Sequence, residues 1–351
     1  MTPSRHIRVL IVDDSLVARE MLAQILSSDP EIEVVGMAHD GAEGAEMVER
    51  LRPDLVTMDI HMPKMDGLTA TERIMAYTPT PILVVSSSVH GEGVGRAFDA
   101  LSAGALEVVK KPEPRDWEDL ERIGKEIIRK VRVLSRVRVI THIRGKRAQM
   151  AQGTRTSSAV PLMTSRSLVA IGSSTGGPSA LLSVLGRLRA DYPMPIVIAQ
   201  HIADGFVPGL VSWLDGGCAL KIVQAAEGEE LMAGRAYIAP TGSNTEVSGD
   251  RVHFTQPKKG QLYIPSADTL FESVARSCGD RGVGILLTGM GADGAVGLKQ
   301  LFDVGGFTIA QDEETSTVFG MPKSAIEAGA ARKVLAVQDI GAELERLAGL
   351  V

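Results

Sequence analysis

The sequence predicts an α/β protein with two domains, each built on a parallel β-sheet. Short apolar runs alternate with amphipathic segments in both halves of the chain, which is the pattern of doubly wound sheets. At 351 residues the chain is too long for one ordinary hydrophobic core. A composition of 44% hydrophobic and 23% charged residues is typical of globular domains. We therefore expect two separate cores.

The charged residues divide the chain into three segments. Residues 1–126 contain 13 basic and 23 acidic residues, residues 127–166 contain 10 basic and no acidic residues, and residues 167–351 contain 14 and 20. From Gly145 the middle segment is rich in Gly, Ser, Thr, Gln and Arg and lacks apolar periodicity. We predict an N-terminal domain over 1–126, a basic helical or flexible linker over 127–166 and a C-terminal domain over 167–351.

Five apolar runs in the first domain predict a doubly wound, five-stranded parallel sheet. The carboxyl ends of parallel strands meet at one edge, where such folds bind ligands. Asp13 and Asp14 follow the first strand, Asp59 the third, Ser86 the fourth and Lys111 the fifth. The predicted strands are Ile7–Val12, Ile32–Val35, Leu55–Met58, Ile82–Val85 and Leu106–Val109.

Three aspartates at this edge predict a divalent cation site. Asp13, Asp14 and Asp59 would repel one another unless a cation lay between them. Mg²⁺ prefers oxygen ligands of this kind, and the ammonium group of Lys111 suits an incoming phosphoryl group. A single strand-end aspartate is usually a solvated helix cap, but that explanation does not cover the whole set.

This acidic edge, together with the run from Asp59 to Gly67 (DIHMPKMDG), resembles the receiver domain of response regulators over most of the first domain. The resemblance implies that Asp59 accepts a phosphoryl group from a histidine kinase. Many receivers carry an aromatic switch residue where this chain has Val108, so the usual rotamer switch is not implied here.

The same resemblance implies roles for the other polar residues of the edge. Mg²⁺ would be bound by carboxylates and one backbone carbonyl, and the phosphoryl oxygens would be contacted by a hydroxyl and an ammonium group. The implied residues are Asp13, Asp14, Asp59 and the His61 carbonyl for the metal, and Ser86 and Lys111 for the phosphoryl group.

The second domain repeats the alternation and predicts a Rossmann-like parallel sheet. Its strand candidates are Leu168–Ile171, Pro195–Ala199 and Val283–Leu287. The stretch from Tyr237 to Phe254 carries two glycine-containing turn sequences and predicts short antiparallel strands. We therefore expect an antiparallel hairpin inserted between the helical units.

The run Gly172–Gly177 (GSSTGG) follows the first of these strands and opens a predicted helix. Glycines allow a sharp turn there, and the free N–H groups at a helix start favour negative charge. The hexapeptide fits a nucleophile elbow centred on Ser174. It fits a phosphate-binding turn equally well, so the motif by itself leaves both chemistries open.

A serine nucleophile needs a base, and the base needs a group that orients it. His201 follows the second strand candidate, and Asp293 lies in a glycine-flanked strand-to-helix turn after the third. We predict that Ser174, His201 and Asp293 meet at one sheet edge, where the N–H groups of Thr175 and Met290 face a developing oxyanion. Asp293 in addition suits a helix N-cap.

The order of these residues disfavours one hydrolase class. In α/β-hydrolases the acid precedes the histidine, whereas Asp293 follows His201 here. Asp250 and His253 have the required order, but they lie three residues apart in the predicted hairpin, which is typical of surface residues.

Four segments together resemble the catalytic domain of the CheB family of chemotaxis protein-glutamate methylesterases. They are Gly172–Gly177, Gln200-His201, Leu287–Gly294 (LTGMGADG) and Phe319–Pro322 (FGMP). The order receiver, linker, esterase is similar as well.

Two positions beside the triad differ from some family members. Ser173 precedes Ser174, and Ala292 precedes Asp293, where those members have Ala and Asn. Neither change removes a triad group, but the second hydroxyl leaves Ser173 as an alternative nucleophile.

The resemblance implies hydrolysis of glutamate methyl esters on the cytoplasmic helices of chemoreceptors, with release of methanol, and deamidation of selected glutamines. Ser174 would attack the ester carbonyl while His201 takes its proton, and water would then cleave the acyl-enzyme without a cofactor. Fusion to a receiver implies control by phosphorylation. We expect the unphosphorylated receiver to obstruct the Ser174 edge.

The alternative is a non-enzymatic response regulator whose basic linker binds nucleic acid or a protein partner. No recognition motif follows the amphipathic helix or helices predicted over 117–142, so we expect no nucleic-acid partner. No apolar run reaches the length of about 18 residues that spans a bilayer, and Met1–Arg8 contains no apolar signal segment. With only Cys218 and Cys278 present, we expect a cytoplasmic protein without membrane insertion.

Overall fold

The computed structural model describes residues 6–87, 92–114, 116–139 and 167–350. The chain divides into two compact units, Met1–Arg155 and Thr156–Val351. Residues 140–166, which form most of the predicted linker, lie outside the described residues. The predicted domain limits at 126 and 166 therefore stay predictions.

The first unit is a five-stranded sheet with helices between successive strands. Its strands are β1 (Ile7–Val12), β2 (Ile32–Ala38), β3 (Leu55–Met58), β4 (Ile82–Ser86) and β5 (Glu107–Lys110), and its helices are α1 (Leu16–Ser27), α2 (Gly41–Leu51), α3 (Gly67–Tyr77), α4 (Glu92–Ser102) and α5 (Trp117–Leu134). The strand order is β2-β1-β3-β4-β5 and every pairing is parallel. This confirms the predicted doubly wound sheet.

The central strands of this sheet are buried on both faces, as expected for parallel strands covered by helices. Every residue of β3 and of β4 is buried. Side-chain caps start the helices: Ser15 accepts the Ala18 N–H, and Asp40 accepts the Glu43 N–H. The polar strand-end residues lie at the carboxyl edge of this buried apolar core.

Helix α5 forms the first part of the amphipathic segment predicted over 117–142 and passes through residue 126. Ile127, Val131 and Leu134 lie buried on one face of the helix. Residues 140–142 of the predicted segment lie outside the described residues.

The second unit is built on a larger parallel sheet. Its strands are β6 (Leu168–Ser173), β7 (Ile196–Gln200), β8 (Lys221–Gln224), β9 (Arg235–Ile238), β10 (Asn244–Ser248), β11 (Arg251–Thr255), β12 (Gly282–Leu286), β13 (Phe307–Gln311) and β14 (Lys333–Leu335). Its α-helices are α6 (Gly177–Leu185), α7 (Val207–Gly217), α8 (Ala267–Cys278), α9 (Ala295–Asp303), α10 (Met321–Glu327) and α11 (Val337–Leu347).

Seven of these strands pair in the order β14-β13-β12-β6-β7-β9-β8, and all their pairings are parallel. Strands β10 and β11 form a separate antiparallel hairpin, which confirms the predicted insertion. The prediction was wrong for the start of the Tyr237–Phe254 stretch, because Tyr237 belongs to β9 and pairs in parallel with β7 and β8. Strands β8, β13 and β14 were not predicted.

Helix α8 joins the hairpin and the sheet into one apolar core. Phe271 and Val274 are fully buried in a cluster that includes Val252 of β11 and Leu286 of β12. A Cβ atom on Gly172 would lie 2.7 Å from the Ala267 Cβ, so glycine at the end of β6 allows the start of α8 to pack closely. None of the helices in the described ranges combines the length and apolarity needed to span a membrane.

Candidate active site

Three strand ends of the second unit bring the predicted residues to one edge. Strand β6 lies between β12 and β7. The His201 N–H donates to the Ser173 carbonyl at 2.9 Å, and the Ser174 N–H donates to the Thr288 carbonyl at 3.0 Å. The chain at the end of β6 is therefore hydrogen-bonded on one side to the residue that follows β7 and on the other side to a residue that follows β12.

His201 and Asp293 are in direct contact. His201 Nε2 lies 2.8 Å from Asp293 Oδ2, although the two residues are 92 positions apart. Their side chains are 11% and 5% exposed. In this buried setting the bond holds one nitrogen of the imidazole, and it matches the base–acid pair that the sequence predicts.

The start of α8 holds the Asp293 carboxylate in place. Oδ2 also accepts the Ala267 N–H at 2.7 Å, while Oδ1 accepts the Ser266 hydroxyl at 2.8 Å and the Asp268 N–H at 3.3 Å. Burial opposes the ionisation of Asp293, but the bonds from His201, Ala267 and Ser266 outweigh it and lower its pKa. Asp293 is therefore a carboxylate at neutral pH.

Asp293 does not cap the helix that follows it in sequence. The N-cap of α9 is Gly294, in left-handed conformation with a φ of 90°, and no side chain caps this helix. The free N–H groups that Asp293 satisfies belong instead to α8, whose own N-cap is Ser266. Asp293 therefore does accept free N–H groups at a helix start, as a helix cap would, but the helix is α8 and not the expected α9.

His201 Nδ1 is buried and has no hydrogen-bond partner among the described residues. Ser174 is 8% exposed, and no hydrogen bond joins its side chain to His201 in the part of the chain that the structure describes. Because Asp293 occupies Nε2, Nδ1 is the nitrogen left to accept a proton.

Ser173 and Ser174 have different surroundings. The Ser173 hydroxyl is fully buried and donates to Gln200 Oε1 at 2.6 Å. Gln200 Nε2 in turn donates to the carbonyls of Ser174 and His201, at 2.9 and 2.8 Å. The Ser173 hydroxyl is thus part of a buried scaffold that supports the turn.

The predicted oxyanion donors lie in two adjacent turns. Thr175 follows Ser174 just before α6, and Met290 lies in the turn after β12. Within the described residues neither backbone N–H donates to another protein group. Gly176 lies between Thr175 and α6 with a φ of 76°, a conformation that favours glycine and turns the chain sharply into the helix.

Thr288 holds these two turns together. Its Oγ1 lies 2.9 Å from the Thr175 carbonyl and accepts the Val318 N–H at 2.9 Å. Its N–H donates to the side chain of Gln311 at 2.8 Å. Gly289 extends the junction, because its carbonyl accepts the N–H groups of both residues at 320 and 321.

The Asp250–His253 alternative lies on the β10–β11 hairpin. His253 is paired there with Glu227, at 3.0 Å between Nδ1 and Oε1, and both side chains are substantially exposed. The hairpin geometry and this exposure agree with the expected surface location.

The first unit brings the predicted acidic residues together. One carboxylate oxygen from each of Asp13, Asp14 and Asp59 lies within 4.8 Å of the others, in an arrangement able to hold a metal ion. Lys111 Nζ lies 2.7 Å from Asp13 and 3.0 Å from Asp59. Ser86, buried at the end of β4, accepts the Lys111 N–H through its carbonyl at 2.8 Å.

The charges in this cluster depend on one another. Burial raises the pKa of Asp59, and the negative charge of Asp13 raises it further, against the opposing effect of Lys111. Burial alone would lower the pKa of Lys111, but its bonds with Asp13 and Asp59 raise it. The His61 side chain is exposed two residues after Asp59, and the role of its carbonyl stays a prediction.

The molecule combines two kinds of site in one chain: a receiver-type acidic edge, and a parallel sheet with a buried histidine–aspartate pair beside a turn that contains serine. Residues 9–120 match the response regulator receiver domain, and residues 169–344 match the CheB methylesterase model. The chain belongs to the CheB methylesterase family.

Its relatives match along nearly the whole chain. Protein-glutamate methylesterase/protein-glutamine glutaminase 2 of Anaeromyxobacter dehalogenans is 45% identical over 344 residues, covering 98% of this chain and 97% of the relative. The corresponding protein 1 of Syntrophus aciditrophicus is 44% identical, covering 98% and 99%. The Thermotoga maritima CheB methylesterase catalytic domain is 37% identical, with a TM-score of 0.49, covering 52% of this chain and 98% of that chain. The relatives do not support the non-enzymatic, nucleic-acid-binding alternative.

Several residues of this site were not predicted from the sequence. Ser266 carries a helix-start signal, since it precedes a helix with an acidic first turn. Nothing in the sequence indicated that its hydroxyl binds Asp293. Thr288 and Gln200 were seen only as parts of longer motifs, and Tyr263, whose ring stacks on His201, gave no signal at all.

Proposed function

We propose that this protein hydrolyses glutamate methyl esters on the cytoplasmic helices of chemoreceptors, releasing methanol, and deamidates selected receptor glutamines. The observation that carries the proposal is the buried His201–Asp293 pair beside the turn of Ser174. Membership of the CheB methylesterase family and the names of the relatives supply the substrate class. We place this activity in the cytoplasm, where those receptor helices lie.

In the proposed mechanism Ser174 is the nucleophile. His201 accepts the hydroxyl proton on Nδ1 as the serine oxygen attacks the ester carbonyl, while Asp293 holds Nε2 and stabilises the imidazolium. The N–H groups of Thr175 and Met290 donate to the oxyanion. His201 then returns the proton to the leaving methanol and activates the water that cleaves the acyl-enzyme.

The decisive experiment compares two adjacent serines. Full-length Ser174→Ala and Ser173→Ala would be incubated with a methylated receptor cytoplasmic domain, and methanol release and receptor mass would be measured. We expect Ser174→Ala to lose roughly 10⁴-fold or more in rate while remaining folded.

Ser173→Ala is the matched control. It leaves Gln200 Oε1 without its buried donor, which we expect to lower the free energy of unfolding by about 1–3 kcal/mol and to leave most of the activity. The reverse pattern, an active Ser174→Ala and an inactive Ser173→Ala, would assign the nucleophile to Ser173.

We further propose that Asp59 accepts a phosphoryl group from a histidine kinase and that this controls the esterase. Three clustered carboxylates fit Mg²⁺, a hard cation that prefers oxygen ligands; Asp13, Asp14 and Asp59 would hold it, with the His61 carbonyl as a further ligand. When bound, the ion neutralises charge on the transferred group. Ser86 and Lys111 would contact the phosphoryl oxygens.

A small-molecule phosphodonor tests this regulation. With acetyl phosphate and Mg²⁺ we expect the wild-type mass to increase by one phosphoryl group and the rate of methanol release to rise, and Asp59→Asn to show neither change. An increase in rate without phosphorylation at Asp59 would contradict the proposal.

A further inference from the structure

Tyr263 stacks directly on His201 and takes no part in the proton transfers of the proposed mechanism. The two ring centroids are 4.8 Å apart, and the ring planes differ by only 10°. We propose that Tyr263 is the positioning residue of His201, holding the plane of the imidazole so that Nδ1 can accept the proton of Ser174. This inference rests on the proposed function, because it assigns Tyr263 to the base of that reaction.

His201 needs a second constraint because Asp293 fixes only one of its atoms. His201 follows the end of β7 and belongs to no helix or strand. A single bond at Nε2 leaves the ring free to swing about that atom, and Nδ1 has no partner within the described residues. Parallel, offset aromatic rings attract at this separation, so the stack restricts the swing.

The backbone of the tyrosine is itself held by a frame of polar side chains that includes the buried Asn244. Asn244, which is 2% exposed, exchanges two amide hydrogen bonds with Gln261, at 3.0 and 3.1 Å. Gln261 Nε2 also lies 3.2 Å from the Tyr263 carbonyl, and Asn244 Oδ1 accepts the Ser266 N–H at 3.0 Å. Since the Ser266 hydroxyl binds Asp293, one frame supports the residues on both sides of the imidazole.

The far end of the tyrosine is confined as well. The Tyr263 hydroxyl lies against Gly291, and a Cβ atom on residue 291 would collide with this hydroxyl. Gly291 has a φ of 92°, so glycine suits both the backbone and the close approach of the ring. The ring is thus placed by its backbone on one side and by the turn after β12 on the other.

The stack should act on the proton transfer itself. One face of the imidazole is covered by an aromatic ring, which limits the access of water to that face. An aromatic face also attracts a cation, so the stack favours the imidazolium that forms when His201 takes the Ser174 proton. A loss of the ring should therefore lower the rate of the chemical step and leave receptor binding unchanged.

The test compares full-length Tyr263→Leu with Tyr263→Phe in two assays. Leucine keeps an apolar side chain and removes the ring, whereas phenylalanine keeps the ring and removes only the hydroxyl. With a methylated receptor domain we expect Tyr263→Leu to lower kcat about tenfold and to change KM less than about twofold. Tyr263→Phe should stay within about threefold of wild type.

The second assay measures inactivation by a fluorophosphonate, which requires the Ser174–His201 chemistry and no receptor. We expect Tyr263→Leu to slow inactivation by about the same tenfold factor. If Tyr263→Leu fails to fold, Gln261→Met takes its place. This variant keeps the tyrosine but removes the hydrogen bonds of the Gln261 side chain to Asn244 and to the Tyr263 carbonyl, and kcat should again fall with KM unchanged.

Three outcomes would overturn the inference. A raised KM with wild-type kcat and wild-type inactivation would make Tyr263 a receptor contact. A Tyr263→Phe variant as slow as Tyr263→Leu would assign the effect to the hydroxyl, and an unaltered Tyr263→Leu would remove the role altogether. Ser174→Ala and His201→Gln are controls in the same assays. If these two variants stay active, the proposed function is wrong. If they are inactive while Tyr263→Leu is as active as wild type, only the inference about Tyr263 is wrong.

Discussion

Replacement of Asp293 by asparagine should separate the catalytic role of this carboxylate from its structural role. Asp293 accepts four donors, two on each oxygen: His201 and Ala267 on Oδ2, Ser266 and Asp268 on Oδ1. An asparagine has one acceptor oxygen and one NH₂ group, which can only donate. One of the two pairs of donors must therefore face the NH₂ group and lose its acceptor. Two orientations of the amide are possible.

If the amide NH₂ faces His201, Nε2 must accept, and Nδ1 then carries the proton and cannot take one from a serine. If the oxygen faces His201, the tautomer is kept, but the imidazolium that forms no longer meets a negative charge. Either result should lower kcat/KM by about 10³–10⁴-fold, or about 4–5.5 kcal/mol of transition-state stabilisation.

The stability effect should be smaller. Losing a charge-assisted bond costs about 1.5–3 kcal/mol, and removal of the Asp293 charge relieves part of its repulsion with Asp268. We therefore expect the free energy of unfolding to fall by no more than about 3 kcal/mol, as measured by urea denaturation.

Methanol release from a methylated receptor domain measures the activity, with Ser266→Ala as the control. That variant loses one donor to Oδ1 and the N-cap of α8, at a cost of about 1 kcal/mol, but keeps the His201–Asp293 bond. Its kcat should remain within about tenfold of wild type. An Asp293→Asn variant as active as Ser266→Ala would refute the orientation argument.

Three further predictions concern residues that surround the site. Thr288→Val removes the hydroxyl that joins the turns at 175 and 318, so urea denaturation should show a loss of about 1–3 kcal/mol in unfolding free energy. Gly176→Ala places a Cβ atom at a φ of 76° against the Thr317 side chain, and a thermal melt should show a destabilisation of at least about 1 kcal/mol. Burial, with the charges of Asp293 and Glu272, raises the pKa of Asp268 from 3.8 to about 6. The folded state therefore binds more protons than the unfolded state between these values, and stability falls as pH rises through them. Asp268→Asn keeps an acceptor for the Gly297 N–H and should flatten this fall in urea titrations between pH 4 and about 7; an unchanged slope would show that another group is responsible.

The sequence predicted the site as far as strand ends and turn residues allow. Parallel strands must bring their carboxyl ends to one edge, so residues that follow β6, β7 and β12 were expected together whatever the details of packing. The structure agrees for His201 and Asp293, which are in contact. The edge strands β8 and β14 were missed because they are short and only partly apolar.

The prediction that Tyr237 lies in an antiparallel strand was wrong because the sequence did not show which strands β9 pairs with. The turn sequences that follow it correctly indicated the β10–β11 hairpin, but the direction of β9 depends on which strand it meets. Local turn chemistry determines where a chain reverses. It does not determine the partner of a strand that lies before the turn.

By itself, the sequence determined the fold class, the family resemblance and the set of hydroxyl, imidazole and carboxylate groups at the strand ends. These follow from the order of apolar runs and turns along the chain. Only the tertiary structure decided that the Ser173 hydroxyl is engaged by Gln200, that Asp293 binds the start of α8 and that Tyr263 covers His201. The reason is that each of these contacts joins residues more than 20 positions apart, and their directions depend on how helices and loops pack on the sheet.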